Sequence, residues 1–475
     1  ALDARFDLSQ VVRVPREPAL RVSDGEIALA VTGEHASYDR GDVIRAVARA
    51  ARQGATLTDI LDRADGYLSC GHAIPLGEDR WTTSEILDLE ARVLNLAQQP
   101  PDGRLAARPE AVSVAVRNRP SLTGEQQRMV AELCGSGRPV DVVVGHAGTG
   151  KTFALDAVRD AFEGSGHRVI GAALAARAAR ELTAGSGIPA STAHALHAAL
   201  STGRIALGVG DVLVVDEAGM VGTRLLAALA TEARRADAKL ILVGDPKQLP
   251  AVEAGGLFAA LAARLPNVEL VDNRRQADPD ERLVATALRH GHAAFAVRRL
   301  DKGGRVTVAT NSDALRDQLV TDWLAHRSGG ADVVMGAVHR GDVDDLNTRA
   351  HNALEADGEL GPLVALVDDQ RFCVGEQVLA HRNRYDLGLV NGDLGEITGI
   401  VADHPAIRVR IGDRDVEVPM DYVTEHLSHA YARTVHKTQG LTCDVALLLG
   451  DDTLYTELGY TGLTRGRSHN RLYAV

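Results

Sequence analysis

Val140-Asp-Val-Val-Val144-Gly145-His-Ala-Gly148-Thr149-Gly150-Lys151-Thr152 decides the architecture. An apolar run of strand character, Val140–Val144, ends in a glycine-rich turn, and a helical pattern, Phe153–Phe162, follows. The turn satisfies G-x-x-x-x-G-K-[ST], the phosphate loop of nucleotide hydrolases. Glycines let backbone wrap a phosphate chain closely. Loop N–H groups and the helix N-terminus then face the anion. Gly145, Gly148, Thr149 and Gly150 therefore form the expected cradle for ATP. Lys151 reaches the terminal phosphates, and the Thr152 hydroxyl holds Mg²⁺.

Working outward, Val212–Val215 is an apolar strand ending in Asp216-Glu217. A Mg·ATP site needs a carboxylate near the metal and a base to orient water. Asp216 suits the first role and Glu217 the second. Lys239–Val243 leads into Gly244-Asp245-Pro-Lys-Gln248, where the Gln248 amide can read a terminal phosphate or the attacking water. Short β-branched runs alternating with helices predict a parallel sheet covered on both faces. The strands expected in the first sheet are 140–144, 168–171, 212–215 and 239–243. A second set is expected at 305–309, 333–337, 445–449 and 471–475. Between its halves, short β runs meet turns at Asn391-Gly392 and Gly412-Asp413, which predicts an inserted antiparallel unit. The expected organisation is a mainly helical domain at 1–97, with a linker at 98–120 rich in proline and arginine. A first α/β domain follows at 121–268, and a second at 269–365 and 426–475 with a β insertion at 366–425. Thr82 and Glu85 predict a capping box opening the helix that closes the N-terminal domain.

The 475 residues exceed one ordinary core. Four scattered cysteines lack metal spacing, and Cys70-Gly-His72 reads as a packed thiol more readily than as a ligand pair, so a reduced cytoplasm is expected. No apolar run is long enough to span a membrane. The net charge of −12 argues mildly against a nucleic-acid partner, but binding follows local potential. Basic residues do cluster at Arg382/Arg384, at Arg433/His436/Lys437 and at Arg465/Arg467. A start at alanine and an apolar end, Leu472–Val475, predict a piece of a longer polypeptide.

Taken in order, these motifs resemble the RecD-like, B-type helicases of superfamily 1 over Leu122–Val475. Leu122-Thr-Gly-Glu-Gln126 resembles the motif whose glutamine reads adenine; a capping box of Thr123 with Gln126 is the other reading, and both can hold. Arg177-Ala-Ala179 resembles the first strand-binding motif, with Leu174 and Ala175 replacing its usual Pro-Thr pair. Ser191-Thr192-Ala-His194 is similar to the adjacent DNA-contacting motif; a surface histidine is the alternative. Asn273-Arg274-Arg275-Gln276 resembles the motif that donates an arginine, Arg275, to the nucleotide. Thr434-Val-His436-Lys437-Thr-Gln439-Gly440 is similar to the motif that touches DNA backbone and nucleotide together. Tyr460-Thr-Gly-Leu-Thr464-Arg465 resembles the last motif, with Arg465 as arginine finger.

The resemblance implies two RecA-like domains with an SH3-like insertion, and a 5′-to-3′ motor on single-stranded DNA. Within the group, Asp278-Pro-Asp-Glu281, Arg382 to Asp393 and Trp81 to Glu90 look most like the helicase part of MobF-type conjugative relaxase–helicases. A relaxase domain in the same polypeptide and other conjugation proteins are then the implied partners. The motor is expected to be monomeric and bacterial. No histidine cluster with a nicking tyrosine is present, so nicking is not expected here. Implied strand contacts are Arg177, Thr192, His194, Asn391, Gly392, Thr434, His436 and Lys437. The interval between His194 and Asp216 offers only a short hairpin at Thr202-Gly203-Arg204 as a strand-splitting pin. A RecD-like repair helicase and a vestigial fold that binds without hydrolysis are the alternatives.

Overall fold

Largely apolar runs, in which the two charges Asp141 and Lys239 pair with each other, place three strands of the first sheet entirely in the interior. In the computed structural model, which describes residues 22–474, β3 (Val140–Gly145), β6 (Val212–Val215) and β7 (Lys239–Gly244) are buried at every position. Residues 1–21 of the expected helical domain and Val475 of the expected last strand lie outside the described residues.

The contacts divide the chain into two units, with the break near Ala91 and residues 252–255 grouped with the first. In the first unit, helices Asp24–Val31, Arg40–Ala50 and Leu57–Ser69 each open on a complete capping box, from Ser23, Asp39 and Thr56. A hairpin of β1 (Ala73–Gly77) and β2 (Arg80–Thr83) follows. Val43, Val47, Tyr38 and Tyr67 form the core. The cap expected at Thr82 belongs to its neighbour. Thr82 lies in β2 and donates to the Ala36 carbonyl at 2.7 Å. It is Thr83 that accepts from the Ile86 N–H, at 3.4 Å, to open helix Ser84–Ala97.

The second unit holds both parallel sheets. Three more strands complete the first: β4 (Val169–Ala173), β5 (Ala190–Thr192) and β8 (Asn267–Leu270). The order is β5-β4-β6-β7-β3-β8, parallel throughout. The strands β5 and β8 escape the sequence reading because they are short and carry polar residues. Residues 98–120 are not a linker. Pro109 stands at the first position of helix Pro109–Arg117, where a missing N–H costs nothing. Ala115 of that helix is buried in the core around Leu155 and Phe162.

The second sheet starts with β9 (Val306–Val308) and β10 (Val333–Ala337). The chain then leaves it for β11 (Leu363–Val367) paired with β12 (Gln370–Cys373). Strands β13 (Gln377–Ala380), β14 (Leu394–Ile400), β15 (Ala406–Ile411), β16 (Arg414–Pro419) and β17 (Leu427–His429) form an antiparallel sheet, β16-β15-β14-β13-β17. This insertion has its own core of Phe372, Val378, Ile397, Ile407 and Val409. Its strands run from 363 to 429, wider than the expected 366–425. The chain re-enters the second sheet with β18 (Ala432–Thr434), β19 (Cys443–Gly450) and β20 (Gly466–Ala474), giving the parallel order β18-β10-β19-β20-β9. Among the described residues no helix is long and apolar enough to cross a membrane, and all four cysteines are free.

Three residues distant in sequence pin the insertion to the second sheet's helices. The buried Glu376 carboxylate takes the His351 Nδ1 edge at 2.5 Å, His429 Nε2 at 2.8 Å and the Cys373 N–H at 3.1 Å. Histidines dispersed in the chain are thus paired in space, already hydrogen-bonded through one carboxylate. Burial alone would raise the Glu376 carboxyl, but the hydrogen bonds from His429, His351 and Cys373 outweigh it and hold it below its ordinary value. A carboxyl depressed on folding adds stability above its unfolded pKa and loses it as pH falls. Glu376→Gln is therefore expected to lower stability by about 3–5 kcal/mol at neutral pH. The gap should close as pH drops below the ordinary glutamate value of 4.5. Thermal melts of both proteins across pH check this.

Candidate functional site

The glycine-rich turn between β3 and helix Lys151–Glu163 is shaped by what crowds it. A Cβ on Gly145 would sit 2.3 Å from Lys151 Cδ, and one on Gly148, at φ 80°, would meet Arg275 Cβ at 2.5 Å. Only glycine fits either place. Lys151 Nζ donates to the Gly145 carbonyl at 2.9 Å, and Thr149 Oγ1 to that of His146 at 3.0 Å. Gln126 lies beneath the loop. Its amide nitrogen donates to the Thr149 carbonyl at 3.0 Å, and its oxygen accepts from the Thr123 N–H at 3.0 Å. The capping box forms, with both amide ends engaged, so Gln126 braces the phosphate loop.

Around the loop lies a cleft of about 160 Å³ lined by Gly148, Thr149, Gly150, Lys151, Thr152, Asp216, Glu217, Gln248, Arg275, Gly440 and Arg465. Residues from six separate motifs therefore meet at one place. Burial, with Glu217 next to it, pushes the Asp216 carboxyl up to about 6, against the pull of Lys151. Glu217 holds φ 49° and ψ 40°, a left-handed backbone that costs a glutamate on the order of 1–3 kcal/mol. Such strain is retained where a side chain must be aimed, and Glu217 points at both the cleft and the hollow beyond it.

The opposite wall is cationic. Arg465 is 2% exposed and donates from Nη2 to Thr464 Oγ1 at 2.9 Å, while its Nε has no hydrogen-bond partner. Arg275, partly open to the cleft, donates from Nη1 to the Thr464 carbonyl at 2.8 Å. Burial and the neighbouring Arg465 push Arg275 down to about 9, and burial lowers Arg465 as well. Among the described residues neither guanidinium has a carboxylate within ion-pair distance, although the charge of Glu217 acts on both. Two desolvated like charges without a counterion fit a polyanion, and Thr152 with Asp216 fit its magnesium. Tyr460, quoted in a motif but given no role by the sequence, ties the walls together. Its hydroxyl accepts from the Ala147 N–H at 3.1 Å and donates to Asp245 Oδ2 at 3.0 Å. Arg274 is exposed.

Beside the cleft runs a trough in two adjoining hollows of about 390 and 480 Å³. Arg177, Thr192, His194, Asn391, Gly392, His436 and Lys437 line the first, and Thr434 the second; Asn391, Arg433 and Lys437 line both. All eight expected strand residues are thus brought together, from both sheets and the insertion. Arg340, Arg433 and His381, outside that set, add to the lining. Lys437 donates to His381 Nδ1 at 2.8 Å. Burial and Lys437 lower His381 to about 4, and burial with Arg177 lowers Arg433 to about 10. Arg180 contacts Asp393, joining the first sheet's helices to the insertion. Arg382 and Arg384 stay out of the trough, facing His426 and Asp386. The expected hairpin at Thr202-Gly203-Arg204 is instead a turn closing helix Ala193–Ser201, with no strand between that helix and β6.

A family model for the AAA domain matches residues 121–311. The conjugal transfer protein TraA of Rhizobium radiobacter is 31% identical over 461 residues, covering 93% of this chain and 42% of the relative. The ATP-dependent RecD2 DNA helicase of Deinococcus radiodurans is 30% identical, over 88% of this chain and 59% of the relative. The chain is related to the RecD-like helicases of superfamily 1. It is related within them to the conjugative relaxase–helicases, and it spans less than half the length of its TraA relatives. In fold it is similar to the Pif1 helicase from Candida albicans, at TM-score 0.51 and 20% identity over 74% of this chain and 94% of that one. A Bacteroides Pif1 in complex with ADP-AlF3 and ssDNA superposes at TM-score 0.50 and 21% identity, over 74% of this chain and 92% of that one.

The cationic wall gives a stability prediction. Arg275→Met removes one of two desolvated like charges, and the Thr464 carbonyl it leaves still accepts from Gln276 Nε2 at 3.2 Å. The ligand-free variant is expected to melt about 2–4 °C higher than the parent. An unchanged or lower melting temperature by scanning calorimetry contradicts the counterion argument.

Proposed function

We propose that this chain is an ATP-driven motor on single-stranded DNA, and the helicase part of a conjugative relaxase–helicase. The observation carrying this reading is the pair Arg275 and Arg465, held without a counterion opposite the phosphate loop and beside a basic trough. The phosphate loop and Asp216/Glu217 belong to the first parallel-sheet domain, which takes in helix Pro109–Arg117 and runs to the end of β8. The two arginines and Tyr460 belong to the second, which the insertion interrupts. The similarity to TraA over nearly the whole chain favours transfer over repair.

Lys151 and the loop N–H groups bind the phosphates, and Glu217 orients the attacking water and takes its proton. Mg²⁺, held by Thr152 and Asp216, would neutralise charge on the phosphate oxygens. Gln248 reads the terminal phosphate. Arg465 and Arg275 stabilise charge developing in the transition state, and they draw the two domains together because their counterion lies on the other wall. Closure shifts His436 and Lys437 relative to Arg177 and His194 along the strand. Release of product restores the unpaired charges and reopens the cleft. Alternating grip of this kind moves a monomer along one strand, in the 5′-to-3′ sense that the family resemblance implies. With no hairpin between His194 and Asp216, translocation should exceed duplex separation. A relaxase domain in a longer polypeptide, inside the bacterial cytoplasm, is the proposed setting.

Turnover of ATP should rise strongly with single-stranded DNA and collapse in Lys151→Ala and Glu217→Gln. Arg465→Ala should lower turnover by about 10³-fold or more, with nucleotide affinity held within about tenfold (~1.4 kcal/mol). A coupled ATPase assay beside equilibrium nucleotide binding separates these effects. Strand-independent turnover by the intact protein counts against the motor, and retained turnover in Arg465→Ala removes its finger role.

A further inference from the structure

One turn of helix Ala176–Ser186 forms a wall common to the nucleotide cleft and the trough. Ala178 and Glu181 line both hollows, while Arg177 lines only the trough. Arg177 Nε donates to Glu181 Oε1 at 2.8 Å, with the side chains 32% and 45% exposed. The base stands N-terminal to the acid, the less favourable order for a helical pair, so helix stability does not account for it. The other carboxylate oxygen, Oε2, lies 3.5 Å from where a Cβ on Gly440 would sit, and Gly440 also lines both hollows.

We propose that Glu181 is a positioning residue that reports strand occupancy to the nucleotide cleft through its pair with Arg177. The inference rests on the motor reading above. A half-exposed ion pair is weak, and a phosphate binds a guanidinium through two parallel hydrogen bonds. A backbone phosphate entering the trough therefore takes Arg177 from Glu181. The released carboxylate then moves on the Gly440 turn, within the wall that carries Asp216 and Glu217, and the cleft responds to the strand. Neither residue needs to touch nucleotide.

Glu181→Gln keeps the shape and removes the charge. The ratio of turnover with a dT oligonucleotide to turnover without it is expected to fall roughly tenfold, within the usual range for coupling between sites. Oligonucleotide affinity by fluorescence anisotropy should stay within about threefold (~0.7 kcal/mol), with the melting temperature unmoved. Glu181→Ala should behave alike. A stimulation ratio unchanged in either variant overturns the proposal. So does a loss of stimulation matched by loss of affinity, which would make Glu181 a strand-binding residue. An intact protein that turns ATP over without any response to the oligonucleotide fails at the motor reading itself, and the inference falls with it.

Discussion

Two guanidiniums facing a phosphate loop without a carboxylate between them are the constraint that organises this molecule. Arg465 and Arg275 reach the cleft from motifs nearly two hundred residues apart, and both cost folding energy as charged groups removed from water. Ordinary cores neutralise such groups with an acid. Here the acids stand on the other wall, as Asp216 and Glu217, with Lys151 between them. The two domains carry complementary halves of one cleft, and in the proposed function a phosphate chain completes it. Glu217, in a left-handed backbone, is a second place where stability yields to aim.

In the proposed motor, the fold turns that local chemistry into movement because the same residues border two cavities. Glu217, Glu181 and Gly440 line the nucleotide cleft and the trough together. A small rotation between the sheets therefore alters both at once. The insertion cannot drift while this happens, since Glu376 ties it to helix Arg340–Ala356 through His351, and Arg180 meets Asp393 from the other side. The trough is basic at its contact points although the chain is acidic overall, which leaves the electrostatic grip local and moderate, as a sliding motor requires.

Features resting on short-range pattern were legible in the sequence. The phosphate loop, the Asp216-Glu217 strand end and the long buried strands announce themselves through spacing and hydrophobicity, and the arginine motifs through ordered resemblance. What depends on distant partners was not legible. Pro109 reads as a breaker until its helix is seen packed on the core, where it starts the helix instead. The brace that Gln126 gives the phosphate loop through Thr149 is seen only once both ends of its amide are found holding backbone. Thr202-Gly203-Arg204 has turn chemistry, but only the preceding helix decides that it is a cap and not a hairpin. His351, Glu376 and His429 lie in three separate stretches, and no periodicity links them. The pairing of Arg177 with Glu181 is visible at i,i+4 spacing, yet its place in a shared wall comes only from three dimensions.

The central claim, that nucleotide draws the two parallel-sheet domains together, is tested most directly by the distance between them. Spin labels at the exposed Arg234 and Asp357, with Cys70 replaced by serine, report that distance by pulsed electron resonance. The account predicts a shorter, narrower distribution with ADP–aluminium fluoride and a dT oligonucleotide than in the free protein, and a return on their removal. An identical distribution in both states, with the nucleotide shown to be bound, would contradict it.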